Sequence, residues 1–137
     1  MLLGAAQSAY HRLMTMIETD VDRGEVSEAS ALRAAACLFH GFSDRSRLTI
    51  VQHLSLGEHR VIDLTRHLDL AQSTVSTHLA CLLDCGIVMF RPQGRASVYT
   101  LAHPVATMEL LAAAEKLLGL TGDAVALCPR YGEGVTA

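Results

Sequence analysis

Two cysteines one helical turn apart, Cys81 and Cys85, are the residues of this chain best suited to metal chemistry. At positions i and i+4 of a helix, their side chains project from one face and can share one soft ion. A third cysteine, Cys128, lies near the end of the chain in a segment without a regular pattern. Three thiolates suit thiophilic ions such as Cd(II) or Pb(II), whereas Zn(II) usually completes a tetrahedron with imidazole or a fourth thiolate. The alternative for the pair is structural, because free cysteine is among the most buried residue types.

The fourth cysteine, Cys37, has different surroundings. It lies in the apolar helical run Ala34-Ala35-Ala36-Cys37-Leu38-Phe39. Such a run favours a packed core thiol over a metal ligand. Cys37 is therefore left out of the predicted site.

The helix that carries Cys81 and Cys85 also has a polar face. Its apolar stripe recurs at helical spacing and consists of Val75, Leu79, Leu82 and Leu83. The opposite face carries short polar residues near the N-terminus of the helix, namely Gln72, Ser73, Thr74, Ser76 and Thr77. Such side chains let a helix approach base edges and phosphates in a major groove. Upstream, apolar residues from Val61 to Leu68 predict a shorter helix before the turn Asp69-Leu70-Ala71, and the two helices form a helix-turn-helix pattern.

The segment after this helix predicts a β-hairpin. Gly86 lies where a helix ends in a left-handed cap. Two apolar runs follow, on either side of Pro92-Gln93-Gly94-Arg95. A hairpin after a helix-turn-helix forms a winged helix, in which Arg91 and Arg95 lie where a wing meets phosphates or a minor groove. The alternative is a solvated turn that happens to hold two arginines.

The helix pair and the hairpin resemble the ArsR/SmtB family of metal-responsive winged-helix repressors. The similarity runs roughly from Leu32 to Leu117. Its motifs are the helix start Ser43-Asp44-Arg45-Ser46-Arg47, the recognition helix Ser73-x-Val75-Ser76-x-His78-Leu79, and the wing Gly94-Arg95 followed by Tyr99. The resemblance implies a dimeric, mainly α winged helix-turn-helix with a β-hairpin wing that binds DNA. It also implies a structural or DNA-facing role for His78, which matches a histidine common to the family's recognition helices.

The cysteines are similar to those of the cadmium- and lead-sensing (CmtR-like) branch of this family. In that branch, two cysteines at the end of the recognition helix join a third from the C-terminal tail of the other protomer. The resemblance therefore implies Cys81, Cys85 and Cys128 as ligands. The Cys-x-Cys site of other members is absent, because the helix before the recognition helix holds no cysteine. The last helix also lacks the repeated Asp/His/His/Glu pattern of the zinc sensors.

Length and composition are typical of one small, mainly helical domain. The chain has 137 residues, of which 50% are hydrophobic and 4% aromatic. We predict an N-terminal dimerisation arm (1–26), a winged helix-turn-helix domain with a C-terminal dimer helix (27–120), and a flexible tail with Cys128 (121–137). No apolar run is long enough to span a bilayer, and the apolar start of the chain is too short for a signal peptide. We therefore expect a cytoplasmic protein with reduced cysteines and no membrane partner.

The charge distribution bears on DNA binding. A net charge of −3 would repel a polyanion if it were spread evenly. Acidic residues are concentrated between Glu18 and Glu28, whereas six arginines lie around the predicted reading helices: Arg45, Arg47, Arg60, Arg66, Arg91 and Arg95. Apolar stripes from Tyr10 to Ile17 and from Val105 to Leu118 are typical of a two-fold interface. A dimer doubles the basic surface that faces a palindromic operator.

The sequence therefore predicts a homodimeric repressor that binds double-stranded operator DNA and is released by Cd(II) or Pb(II), with Zn(II) the less favoured ion. No nucleophile with its base, phosphate loop or carboxylate pair is evident, so no catalysis is predicted. Two alternatives stay open. One is a thiol redox regulator on the same fold, although the i,i+4 geometry of Cys81 and Cys85 is unfavourable for a disulfide. The other is an interaction module without DNA binding, supported only by the acidic net charge.

Overall fold

The computed structural model of the chain describes residues 27–123 and 126–127. The chain divides into two compact units, Met1–Arg33 and Ala34–Ala137, and only residues 27–33 of the first are described. The described elements are α1 (Glu28–Phe42), α2 (Arg45–Ser55), β1 (His59–Arg60), α3 (Val61–Leu68), α4 (Gln72–Asp84), β2 (Val88–Gln93), β3 (Ala96–Leu101) and α5 (Pro104–Leu120). The predicted N-terminal arm and the tail residue Cys128 lie outside the described residues and stay predictions.

Helices α3 and α4 form the predicted helix-turn-helix. Helix α3 ends at Leu68, and Asp69 adopts a left-handed conformation with φ of 53°. Aspartate tolerates this region better than most residues, because its short polar side chain can bond locally. Helix α4 then begins at Gln72. The turn therefore lies where the sequence predicted it, over Asp69-Leu70-Ala71.

Helix α4 ends in a Schellman motif. Gly86 has a φ of 72°, and its N–H donates to the Leu83 carbonyl at 3.0 Å. The Ile87 N–H donates to the Leu82 carbonyl, also at 3.0 Å. These bonds satisfy carbonyls that the helix end leaves without partners, and they need a left-handed residue at the glycine. The predicted cap is confirmed, and it places Cys85 at the C-cap of α4.

The three strands form one antiparallel sheet in the order β1-β3-β2. In the wing, Gln93 pairs with Ala96, so Gly94 and Arg95 form a two-residue turn. Gly94 has the positive φ, 61°, that the first position of a type II′ turn needs. This turn is shorter than the loop predicted from the sequence. Pro92 and Gln93 instead extend β2, which is an edge strand and therefore tolerates a proline.

The core lies between α2, α3, α4 and the sheet. Its fully buried large side chains are Ile50, Val51, Leu64, Val75, Leu79 and Leu82. The predicted stripe of α4 is therefore its buried face, with Leu83 packed against the core at partial burial. Large apolar side chains on α5 stay exposed, namely Val105, Leu117 and Leu120. Within residues 27–123, no helix combines the length and the apolar character needed to cross a bilayer.

Candidate metal and nucleic-acid sites

The N-terminal half of α4 presents a polar face to solvent. The five predicted contact residues on it are all exposed: Gln72, Ser73, Thr74, Ser76 and Thr77. Val75, which lies between them in the chain, is fully buried and so turns this face outward. The Thr77 hydroxyl donates to the Ser73 carbonyl at 2.9 Å, which leaves its oxygen able to accept from a ligand. The face can therefore form hydrogen bonds at the short range that base edges and phosphates require.

His78 connects α4 to the beginning of α2. Its Nδ1 lies 3.4 Å from Arg47 Nη1 and 3.9 Å from Asp44 Oδ1. Arg47 also donates through its side chain to the carbonyls of Gly41 and His40, at 3.0 and 2.8 Å. Asp44 caps α2 by accepting from the Arg47 backbone N–H, and this bond is the main cause that lowers the pKa of Asp44. These contacts support a structural role for His78, whose side chain is only 16% exposed.

The two wing arginines differ in their surroundings. Arg91 forms an ion pair with Glu58, with Nη2 at 2.7 Å from Oε2 and 2.9 Å from Oε1. Both partners are about half exposed, so the pair is weak in water and a phosphate can compete with it. Arg95 lies exposed in the wing turn and forms no ion pair within the described part of the chain. Arg95 is therefore the more accessible of the two.

Three thiols converge where α1 meets the end of α4. The sulfur atoms of Cys37 and Cys85 lie 2.9 Å apart, and the Cys85 thiol also donates to the Cys37 carbonyl at 2.8 Å. Cys81 lies four residues before Cys85, near enough to contribute to the raised pKa of the Cys85 thiol. All three thiols are free and only partly buried. The two predicted ligands on α4 thus lie near one another. Cys37, predicted to be a packed core thiol, is partly buried and lies against Cys85.

This environment opposes ionisation of Cys85. Burial, followed by the neighbouring Cys37 and Cys81 thiols, raises the pKa of Cys85 to about 12. A thiolate beside two further sulfur atoms is unfavourable unless a positive charge compensates it. A coordinated metal ion supplies that charge and deprotonates the thiol. Cys85 is therefore a protonated thiol at neutral pH until a cation binds.

Gly41 permits the close contact between α1 and the end of α4. A Cβ atom at this position would lie 2.6 Å from Ile87 Cδ1 and 3.4 Å from Cys85 Sγ. The first distance is far inside van der Waals contact, so a larger residue would force the buried Ile87 side chain or the backbone around it to shift. Glycine at this position therefore holds Cys37, one turn earlier on α1, against Cys85.

The residue directly before Cys128 is bound to the body of its own unit. The Leu127 carbonyl accepts from Gln52 Nε2 at 2.9 Å, and its N–H donates to the Glu115 carboxylate. The Leu127 side chain also packs against the core. Cys128 itself lies outside the described residues, so its role as a ligand stays a prediction.

Two groups of neighbouring side chains were not predicted from the sequence. The first is the contact between Cys37 and Cys85, which are 48 residues apart. The second is a cluster of His53, His59 and His67, in which one ligand nitrogen from each residue lies within 4.8 Å of the others. Its only signal in the sequence is that three of the seven histidines fall in this short segment. Neither grouping follows from helical spacing, because each joins different elements.

Comparison with known proteins identifies relatives over most of the described region. Residues 44–89 match the family model described as bacterial regulatory protein, arsR family. A probable mercury resistance operon repressor from Streptomyces lividans is 36% identical over 78 residues, which are 56% of this chain and 62% of that protein. The HTH-type transcriptional regulator CmtR of Mycobacterium tuberculosis is 32% identical over 101 residues, which are 74% of this chain and 86% of that protein. The chain thus spans less than two thirds of the first relative and most of the second.

A solved structure agrees with the fold. It is the homodimeric winged helix-turn-helix DNA-binding domain of a possible ArsR-family regulator from Mycobacterium bovis, with a TM-score of 0.60. The match is 23% identical and covers 71% of this chain and 94% of that one, so it bears on the fold alone. The helix pair α3 and α4 followed by the β2–β3 hairpin is accordingly a winged helix-turn-helix. The family model matches residues 44–89, and this chain covers 86% of a regulator to which it is 32% identical. On these grounds and on its fold, the chain belongs to the ArsR family of bacterial regulatory proteins.

Proposed function

We propose that this chain is a transcriptional repressor that binds operator DNA as a homodimer and is released by a thiophilic metal ion. Two of its relatives are named as a mercury resistance operon repressor and a CmtR regulator. We assign the DNA contacts to the exposed face of α4 and to Arg91 and Arg95, and the metal ligands to Cys81, Cys85 and Cys128. The inducer is Cd(II) or Pb(II), because an all-thiolate site favours large soft ions over Zn(II). The protein acts in the cytoplasm, where operator DNA lies, and has no catalytic role.

The observation that carries this proposal is the difference between the two ends of α4. The N-terminal half exposes hydroxyl and amide groups, and the C-terminal end holds the partly buried thiols of Cys81 and Cys85. An ion that draws these thiols toward a further ligand pulls on the helix whose other end lies in the groove. Metal and operator then oppose one another, and each weakens the other by the same factor, typically ~1–3 kcal/mol.

The exposed apolar face of α5 supports the homodimer. Val105, Leu117 and Leu120 are 72%, 63% and 78% exposed, while Thr107 and Leu111 of the same helix are buried. A helix with one face in the core and large apolar side chains on another is best covered by a second copy of the chain. Two reading helices then meet two half-sites about one helical turn apart.

The ligand assignment is tested by titrating Cd(II) into the purified, reduced protein. Ultraviolet thiolate-to-metal absorption counts the sulfur ligands, and fluorescence anisotropy of a labelled operator follows release. Cys81→Ser and Cys85→Ser should each abolish Cd(II)-induced release and leave operator binding of the metal-free protein nearly intact, because a hydroxyl is a poor ligand for a soft ion. Cys37→Ser is the matched control and should keep the response. Normal release in both ligand variants would contradict the assignment.

The third ligand is tested by mixing two kinds of chain. One kind is full-length and carries Cys81→Ser and Cys85→Ser, and the other ends before Cys128. Neither homodimer has three of the proposed thiolates, but the heterodimer has one complete site if the tail crosses between protomers. Three-thiolate Cd(II) absorption should then appear only after the chains exchange, at about one ion per heterodimer. If heterodimers form without this absorption, the tail binds on its own subunit or is not a ligand.

A specific contact favours thiol oxidation as a second candidate function. The Cys37 and Cys85 sulfurs are 2.9 Å apart, and a disulfide needs about 2.05 Å. With hydrogen peroxide as oxidant, the S–S bond forms, the O–O bond breaks, and the two thiol protons leave in two water molecules. Cys37 and Cys85 are a better candidate pair for a disulfide than Cys81 and Cys85, whose placement on one helix is unfavourable for that bond. The raised pKa of Cys85 slows the reaction, because the thiolate is the nucleophile.

Peroxide treatment of the metal-free protein distinguishes this candidate from metal sensing. If oxidation controls the repressor, peroxide should remove two hydrogen atoms from the intact mass and release the operator. Cys37→Ser should block both effects, whereas Cys81→Ser should block neither. Operator release by Cd(II) that survives Cys37→Ser, together with a peroxide-resistant Cys37–Cys85 pair, would reject oxidation as the signal.

A further inference from the structure

The histidine cluster is formed by three short stretches of backbone. His53 is in the last turn of α2, His59 is on β1, and His67 is in the last turn of α3. One ligand nitrogen from each ring lies within 4.8 Å of the other two. His53 and His59 are partly buried, and His67 is exposed. The cluster is thus held from inside by two rings and opens to solvent at the third.

The three rings are in direct contact. The rings of His53 and His67 are stacked, with centroids 4.8 Å apart and an interplanar angle of 17°. The ring of His59 meets both of them edge-on, with centroids 6.0 Å from His53 and 5.6 Å from His67. Burial, followed by the neighbouring His67 and His59, lowers the pKa of His53.

One of the rings is already oriented by the backbone. His59 Nδ1 lies 2.9 Å from the Gly57 carbonyl oxygen. A carbonyl can only accept, so Nδ1 is the donor of this hydrogen bond, and Nε2 is the nitrogen left to face a metal ion. Metal-binding histidines are usually held in this way, with the second nitrogen donating to a carbonyl or a carboxylate.

The distances are close to those of a metal site. Nitrogens at about 2.0–2.1 Å from a tetrahedral Zn(II) lie roughly 3.4 Å from one another. The cluster, at 4.8 Å or less, therefore needs to contract by about 1.4 Å at most. Rotation of the His67 ring can supply much of this movement, because its side chain is exposed.

We propose that His53, His59 and His67 form a second metal site, which binds a divalent transition ion such as Zn(II) through three imidazole nitrogens and one water. Imidazole suits Zn(II), Ni(II) and Cu(II), whereas Cd(II) and Pb(II) prefer thiolates. This site shares no residue with the thiol cluster and does not depend on the proposed repressor mechanism.

An ion at this site would join three parts of the winged helix. His53 belongs to the core helix α2 and His67 to the first helix of the helix-turn-helix. His59 pairs with Tyr99 of the wing strand β3. A ligand that binds only the folded chain stabilises it by mass action. The site would therefore fix the base of the wing against the two helices and raise the temperature of unfolding.

Co(II), a spectroscopic substitute for Zn(II), tests the proposal in the full-length chain. Cys81→Ser, Cys85→Ser and Cys128→Ser are introduced first, so that the proposed thiolate ligands cannot contribute. One Co(II) per chain should bind with the visible bands of four-coordinate cobalt and without thiolate-to-cobalt absorption. Loss of a residue that only hydrogen-bonds to a metal ligand weakens metal binding roughly 10- to 100-fold. His67→Gln removes a proposed ligand itself and should weaken Co(II) binding by more than this. His103→Gln, which changes an exposed histidine outside the cluster, should bind like the parent.

Thermal unfolding with Zn(II) provides the second measurement. Zn(II) should raise the midpoint of the parent and of His103→Gln and leave that of His67→Gln unchanged. Absence of Co(II) binding at micromolar concentration, or equal binding by His67→Gln and the parent, would overturn the proposal. His67 is exposed, so its variant decides the matter even if His53→Gln fails to fold.

Discussion

The two ends of α4 differ in what they offer to a ligand, although one helix of 13 residues carries both. At the N-terminal end, short side chains such as Ser73 and Ser76 are exposed and ready for hydrogen bonding. At the C-terminal end, the Cys85 thiol is partly buried, contacts Cys37, and has a pKa raised to about 12. The first end can therefore form hydrogen bonds to a ligand without rearrangement. At the second end, the Cys85 thiol must lose its proton when it coordinates a cation, so metal binding changes the charge there.

The largest expected effect concerns pH and the C-terminal end alone. Because the pKa of Cys85 is about 12, each bound Cd(II) must displace a proton from this thiol throughout the neutral and mildly alkaline range. The affinity for Cd(II) should thus rise about tenfold per pH unit for this proton, and should keep rising above pH ~9, where an ordinary thiol is already ionised. Chelator competition at several pH values measures it.

The matched control for this prediction is Cys85→Ser. The variant should bind Cd(II) more weakly and with a smaller pH slope. If the Cd(II) affinity of the wild type stops rising once the pH passes the pKa of an ordinary thiol, Cys85 is not a ligand or its pKa is not raised.

The second prediction concerns the N-terminal end. Replacing Ser76 and Thr77 together by Ala should weaken operator binding by about 1.5–3 kcal/mol for each lost hydrogen bond to a charged phosphate. Cd(II) stoichiometry should not change, because hydroxyl groups are poor ligands for a soft ion, although Thr77 lies one helical turn before Cys81. Fluorescence anisotropy and metal titration measure the two properties separately. If the double variant loses metal binding instead, the two ends of α4 are not separate sites.

The third prediction concerns the contact that builds the C-terminal end. Gly41→Ala should destabilise the fold by about 1–3 kcal/mol, because the new Cβ would overlap Ile87 Cδ1 at 2.6 Å. Gly119→Ala, in α5, meets nothing within 4 Å and should stabilise by about 0.5–1 kcal/mol. Urea unfolding compares both variants with the wild type. Equal stability of the two variants would mean that α1 does not pack closely against the end of α4.

The smallest expected effect concerns the wing, whose arginines we propose as DNA contacts. Arg95→Ala should lower affinity for all DNA sequences and reduce the slope of log K against log salt by about one unit. Glu58→Gln should have the opposite effect, because it releases Arg91 from its ion pair. Operator titrations over a range of salt concentrations measure both. Unchanged affinity and slope in Arg95→Ala would show that the wing does not contact DNA.

Features that depend on neighbouring residues were predictable from the sequence. The Asp69-Leu70-Ala71 turn and the cap at Gly86 were placed correctly, because left-handed conformations favour particular residue types. The buried stripe of α4 followed from helical spacing, and Cys81 and Cys85 were paired for the same reason. The wing turn was predicted too long, because residue types alone do not show that Pro92 lies on an edge strand.

The sequence by itself determined the elements, the face of α4 that is buried and the four cysteines available for chemistry. Only the tertiary structure decided which side chains meet across elements. It placed Cys37 against Cys85, paired Arg91 with Glu58, and brought His53, His59 and His67 together. These contacts depend on the packing distance between helices, which a single residue such as Gly41 can set. Periodicity within one element carries no information about that distance.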